Sequence, residues 1–245
     1  MIRRISLLST LVASSMLVVS SAFGATPAAA PSILVRGATV YTLSSVDAAP
    51  LGDTDVLVTD GRIAAIGPAV PSALATLPDG RPTRTFDAHG ALVLPGFVHA
   101  HMHLCQTLFR GLAEQSDLLR WLREAIWPLE AAHTDASLAA SVRLGAAELV
   151  RGGVTCVNDM GTVHHGDALA EALAGTGLRA VFGPALMDQG SAVPQRLLEG
   201  ADRALERVLA LADRWHGAAD GRLSVSLAPR FILSCSEGLW RDVTA

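Results

Sequence analysis

The rhythm of apolar and polar positions changes once along this chain, near residue 94. Before that point short apolar runs alternate with turns. Residues 33–36, 38–41 and 55–58 read as strands, and Asp60-Gly61, between the runs 55–58 and 62–67, reads as a two-residue hairpin turn. Residues 68–84 read as loop, and 85–88 with 91–94 supply two further strands, so 33–93 is predicted to be a β unit. Beyond it strands and helices alternate. Ser116 can cap a helix that stops near Pro128. Thr134 can cap a second, whose Leu138, Val142, Leu149 and Val150 lie on one stripe and which ends at Gly152-Gly153. Strand 154–157, a helix over 168–174, strand 178–182, a helix over 194–216, strand 223–227 and a helix start at Ser236 follow. Such alternation predicts an α/β fold with a parallel sheet and right-handed crossovers, here in four strand–helix units.

Composition narrows the function classes. Half of the 245 residues are hydrophobic and 17% are charged, which is enough apolar material for a sizeable core. A net charge of −4 and 4% aromatic residues exclude a basic, base-stacking nucleic-acid surface. Cys105, Cys156 and Cys235 are too few and too scattered for a disulfide framework or a zinc ribbon, and read as small buried apolar residues. At the N-terminus, Arg3-Arg4, an apolar run over 5–19 and small residues to Gly24 have the layout of a secretory signal. Residues 1–24 are therefore expected to direct export to the periplasm or outside. The paired arginines suit the twin-arginine route, although Ser6 does not. Serines and a threonine interrupt the run, so no stable membrane span is expected once the signal is removed, and 25–32 is a Pro/Ala linker.

The chemistry gathers in residues 95–104, Pro-Gly-Phe-Val-His-Ala-His-Met-His-Leu. On an extended strand Phe97, His99, His101 and His103 share one face, and Val98, Ala100, Met102 and Leu104 the other. The apolar face suits burial. Three imidazoles on the opposite face need hydrogen-bond partners or a cation. His-x-His on a strand aims two nitrogen ligands the same way, as a Zn2+ or Fe2+ site requires, and it also suits a wet sheet edge.

Four blocks in order carry a resemblance: 94–111 (LPGFVHAHMHLCQTLFRG), Trp121-Leu122 with 126–130 (IWPLE), 159–165 (DMGTVHH) and 228–231 (APRF). Together they resemble the amidohydrolase superfamily of metal-dependent (β/α)8-barrel hydrolases. The closest likeness is to the subgroup of triazine chlorohydrolases, S-adenosylhomocysteine deaminases and 5′-deoxyadenosine deaminases. The resemblance implies the N-terminal half of such a barrel over 94–245, strands one to four, preceded over 33–93 by part of a small β-sandwich domain. It implies His101 and His103 as ligands of one divalent metal ion, Zn2+ or Fe2+. Trp121, Glu130 and Arg230 are implied to bind a small-molecule substrate, a nucleoside or heterocycle: Glu130 matches a carboxylate that holds ribose hydroxyls, Trp121 an aromatic lining the same pocket, and Arg230 stands where S-adenosylhomocysteine deaminases place a base-contacting His. His99 stands where relatives carry Asn or Gln and is taken as a group beside the metal or facing substrate. Read on their own residues, Glu130 is also a solvated helix-end carboxylate, Trp121 a core aromatic and Arg230 a surface arginine. His164 and His165 receive no assignment, and Asp159 reads as a strand-end residue bonding to backbone.

The implied reaction is hydrolysis of a C–N bond on a purine-like ring. The metal lowers the pKa of a water to about 7, this water attacks C6 of an adenine moiety, and ammonia leaves. The resemblance puts the remaining metal ligands and the proton-shuttling Glu beyond Ala245, so the chain is expected to be an N-terminal portion, inactive alone. Its open sheet edges are expected to make it poorly soluble or to pair it with a second copy. Two alternatives stand beside this reading: another ring hydrolysis of triazine or guanine type, and a non-catalytic metal-binding half-barrel.

Overall fold

The computed structural model describes residues 31–112 and 116–245, which divide into two units at Leu94/Pro95. The signal reading and most of the linker lie outside the described residues.

In the first unit, β1 (Ile33–Val40), β2 (Leu51–Thr59), β3 (Arg62–Ile66), β4 (Arg84–Asp87) and β5 (Leu92–Val93) form one sheet. Its order is β3-β2-β1-β4, with β5 also paired to β1. The hairpin is where the sequence put it, and Asp60 and Gly61 both take positive φ, as a type I′ turn demands. The runs 33–36 and 38–41 are one strand, not two: Gly37, at φ 68, donates its N–H to Asp55 Oδ1 and lets the chain bulge without breaking off. The region read as loop holds a short helix, α1 (Val70–Leu74), because Val70 buries against Leu34 and Leu57. A single sheet with one covering helix is what these residues form; a second sheet is not seen among them.

In the second unit the strands are β6 (Phe97–Met102), β7 (Val154–Asp159), β8 (Arg179–Phe182), β9 (Ala185–Leu186), β10 (Leu223–Val225) and β11 (Ala228–Pro229). All pairings are parallel, in the order β10-β8-β7-β6, with β11 beside β9 as the onward course of the same two strands. Each new strand joins the side of its predecessor, so the sheet is wound in one direction. Helices α2 (Leu118–Trp121), α3 (Trp127–Ala131), α4 (Asp135–Arg151), α5 (Gly166–Thr176), α6 (Ala201–Trp215), the short turn α7 (Ala218–Gly221) and α8 (Glu237–Thr244) join or follow the strands.

Helix α4 shows how local chemistry sets this layout. Thr134 and Ser137 exchange hydrogen bonds in a capping box, and Gly152 ends the helix. Leu138, Ser141, Val142, Gly145 and Ala146 form the buried stripe, which meets Val157, Leu169 and Leu173 in the main core. Val150, expected on that stripe, is half exposed.

Four further expectations need correcting. Asp117, not Ser116, caps the first helix, and the helix does not stop at Pro128. A π-helical stretch at Leu122–Ile126 widens the turn, so Pro128, which has no N–H to give, starts a new α segment. The helix read over 194–216 begins at Ala201, because Glu199 N–H is taken by the Met187 carbonyl. The apolar face of the histidine strand is buried only at its far end: Val98 is 68% exposed and Ala100 is exposed, Met102 is half-buried, and Leu104 is fully buried. Among the described residues β6 is an edge strand beside β7 alone, and its register slips between His99 and Met102, which spoils strict alternation.

Candidate active site

The C-terminal ends of β6, β7 and β11 converge with α2 on a cavity of about 420 Å3 whose lining includes His101, His103, Gln106, Trp121, Arg230 and Phe231. The strand ends deliver the polar groups, and α2 with the π stretch delivers the apolar wall.

His101 and His103 leave β6 with ring centroids 5.4 Å apart and planes at 84°. Burial, reinforced by the Arg230 charge, holds His103 down at about 4, so its imidazole is neutral at pH 7 and free to donate a lone pair. His103 Nδ1 is buried without a hydrogen-bond partner. Neutral imidazole and an orphaned nitrogen fit a soft-to-borderline divalent cation. Three possible ligand atoms, from His103, Cys105 and Glu130, also lie within 4.8 Å of one another, but two of them are otherwise engaged. Burial pushes the Cys105 thiol up, so without a metal it stays protonated. Glu130 is held by Arg230. His101 and His103 are the strand histidines that line the cavity, and His99, exposed, does not.

Glu130 and Arg230 form a bidentate ion pair, Nη1 to Oε2 at 2.5 Å and Nη2 to Oε1 at 3.0 Å, and Gln106 Nε2 donates to Oε1 at 2.8 Å. Their side chains are 0% and 6% exposed, which rules out the solvated carboxylate and the surface arginine. Glu130 does not itself line the cavity. It lies behind Gln106 and Arg230, with both oxygens taken, so the expectation that it faces a ribose is not what this geometry presents. Trp121 packs partly buried against Leu122, Ile126 and Trp127 and still reaches the cavity, joining both of its readings. Gln106, quoted within a motif but given no role, is the group that sequence reasoning missed.

Asp159 is the backbone anchor expected: Oδ1 accepts from Leu104 N–H at 2.6 Å and Oδ2 from Gly161 N–H at 3.1 Å. His164 and His165 are tethered away from the cavity, His164 to the Arg196 carbonyl and His165 to Asp135.

Two of these buried groups oppose each other in acid. His103 in the fold titrates at about 4 against an ordinary 6.5, so its contribution is whole above 6.5 and is lost as pH falls toward 4. Burial pushes Asp159 up from 3.8 to about 7, so its contribution is whole below 3.8 and is lost as pH rises through 7. Metal-free His103→Asn should therefore gain stability relative to the wild type on acidification across this range, by roughly 3 kcal/mol. Asp159→Asn should lose it. Urea titrations of the three proteins across the interval check this, and parallel pH curves would contradict it.

A model of the amidohydrolase family matches residues 92–244, most of the chain. The chain belongs to the amidohydrolase family. This amidohydrolase is 34% identical over 214 residues to a 5'-deoxyadenosine deaminase of Methanothermobacter thermautotrophicus, covering 87% of the chain and 45% of the relative. It is 32% identical over 204 residues to a 5-methylthioadenosine/S-adenosylhomocysteine deaminase of Desulforamulus reducens, covering 83% of the chain and 43% of the relative. A solved structure of an adenosine deaminase from Xanthomonas campestris with bound zinc matches with a TM-score of 0.72 at 30% identity, over 86% of this chain and 46% of that one. The chain spans less than half the length of each of these relatives. Amidohydrolases use a divalent metal, and the unpartnered His103 nitrogen of this member fits one.

Proposed function

We propose that the protein carrying this chain is a metal-dependent hydrolytic deaminase of an adenine nucleoside such as 5′-deoxyadenosine. One observation carries the reading: His101 and a neutral His103 open on the same cavity as an aromatic wall and a buried arginine. A divalent cation, zinc or iron(II), held by His101 and His103 would supply an activated water at neutral pH.

The chain's own residues then do the positioning. Trp121 and Phe231 offer apolar faces to a flat ring, and aromatic walls exclude water from it. Arg230 spends two of its five N–H donors on Glu130, which fixes the guanidinium plane and directs what remains. Glu130 also cancels the Arg230 charge, which would otherwise repel a cation at His103 across a poorly screened interior. Gln106, anchored by its amide nitrogen, keeps its carbonyl oxygen as an acceptor at the cavity wall. In this reading the sheet is the first part of a (β/α)8 barrel, a view that its one-directional winding supports. The outer strands β6 and β10 have free edges among the described residues, so the isolated 245-residue chain should sediment as an associated species. A monomer of unchanged stability would count against that.

The test of function is ammonia release from 5′-deoxyadenosine, S-adenosylhomocysteine and adenosine by the zinc-loaded protein, with chromatography identifying the inosine-type product. Metal binding without ammonia from any of the three would sink the reading.

A further inference from the structure

The backbone directly after His103 is held from three directions. Leu104 and Cys105 are fully buried and begin the 3-10 turn Leu104–Phe109. Leu104 N–H goes to Asp159 at the end of β7, at 2.6 Å. Its carbonyl accepts from Ser141 Oγ of α4 at 2.7 Å and from Thr107 Oγ1 at 3.0 Å. The Cys105 carbonyl lies 2.8 Å from His133 Nε2, in the segment ahead of α4. A carbonyl can only accept, so Nε2 carries a proton, and Nδ1 lies 2.9 Å from Ser137 Oγ. The Phe109 ring stacks on that imidazole, centroids 5.0 Å apart. Gly145, one turn on from Ser141, lets α4 come this near: a Cβ there would lie 2.6 Å from Thr107 Oγ1 and 2.8 Å from Leu104 Cδ2.

We propose that His133, Ser141 and Asp159 are positioning residues for the cation. By fixing the peptide planes of Leu104 and Cys105 they aim the His103 imidazole, resting on the metal reading given above. Burial alone would require only that each backbone group find some partner. Here side chains from three separate elements converge on two consecutive residues beside a ligand whose buried nitrogen has none. A cation tolerates a few tenths of an ångström in its bonds to imidazole, so a ligand held in place binds it without first being ordered.

The test is cobalt(II) titration of the full chain, followed by its visible absorption, together with hydrogen exchange at the Leu104 and Cys105 amides without metal. His133→Phe keeps the stack on Phe109 and removes the donor. It should weaken cobalt binding about tenfold, alter the visible band and speed exchange at both amides. His133→Gln, which can still donate to the Cys105 carbonyl, should restore most of the affinity. Leu173→Ala is the control: it opens the same core away from the turn, and should lower stability without changing cobalt affinity or spectrum. If His133→Phe does not fold, Ser141→Ala takes its place with the same expectation. Wild-type affinity and spectrum in these variants, or an equal loss in Leu173→Ala, would overturn the proposal while the metal reading stood. A wild-type chain that takes up no cobalt would end both.

Discussion

Arg230→Met should destabilise the chain by about 3–5 kcal/mol, the largest effect expected of a single substitution here. The Glu130 carboxylate has no exposed surface, and Arg230 supplies two of the hydrogen bonds that reach it. Methionine fills a similar volume but leaves a buried anion with Gln106 and a weak thiol donor as its remaining partners. The loss therefore measures an uncompensated charge more than a missing contact. Removing both charges should return most of it, so Glu130→Gln with Arg230→Met should lie well above the single variant in chemical denaturation. A single-variant loss under about 1 kcal/mol would place this pair among surface salt bridges, against the burial described.

His101→Asn and His103→Asn should each weaken zinc binding more than about a hundredfold, beyond what loss of a supporting group costs. Cys105→Ala should leave it nearly unchanged. The contrast decides between the two sets of donors that meet at His103. A protonated thiol and an arginine-bound carboxylate offer a cation little, whereas His103, beside His101, offers a lone pair at no cost in proton release. The same His103→Asn chain should be at least as stable without metal at neutral pH, since an unpartnered buried nitrogen disappears with the ring. Equilibrium dialysis against zinc gives the affinities. Retained zinc in both Asn variants, or its loss in Cys105→Ala, would move the site to the other donor set.

What was legible in the sequence was local. Thr134 with Gly152 bounds α4 because caps act within a turn, and Asp60-Gly61 fixes its hairpin by backbone freedom alone. That His101 and His103 open on one cavity was legible from their spacing of two, although the register slip left His99 outside it. What failed depended on distant atoms. The start of α6 is set by the carbonyl of Met187, and the continuity of β1 by a carboxylate on β2. No spacing rule joins Glu130 to Arg230, a hundred residues apart, so each was read alone, as a separate substrate contact. Asp159 was read correctly because a carboxylate at a strand end has backbone N–H groups within reach. The carbonyl contacts of Ser141 and His133 left no trace in the pattern: one lies on a buried helix stripe and the other between helices.

The one-directional winding of the second unit has a kinetic consequence. Because the ladders follow chain order, with β8 and β9 as one course and β10 and β11 as the next, each pairing can close as soon as its second strand has left the ribosome, over a connection of about fifty residues at most. Such a sheet can assemble progressively during synthesis, amino end first, and the turn bearing His103 gains its Asp159 anchor as β7 emerges, long before β10 exists.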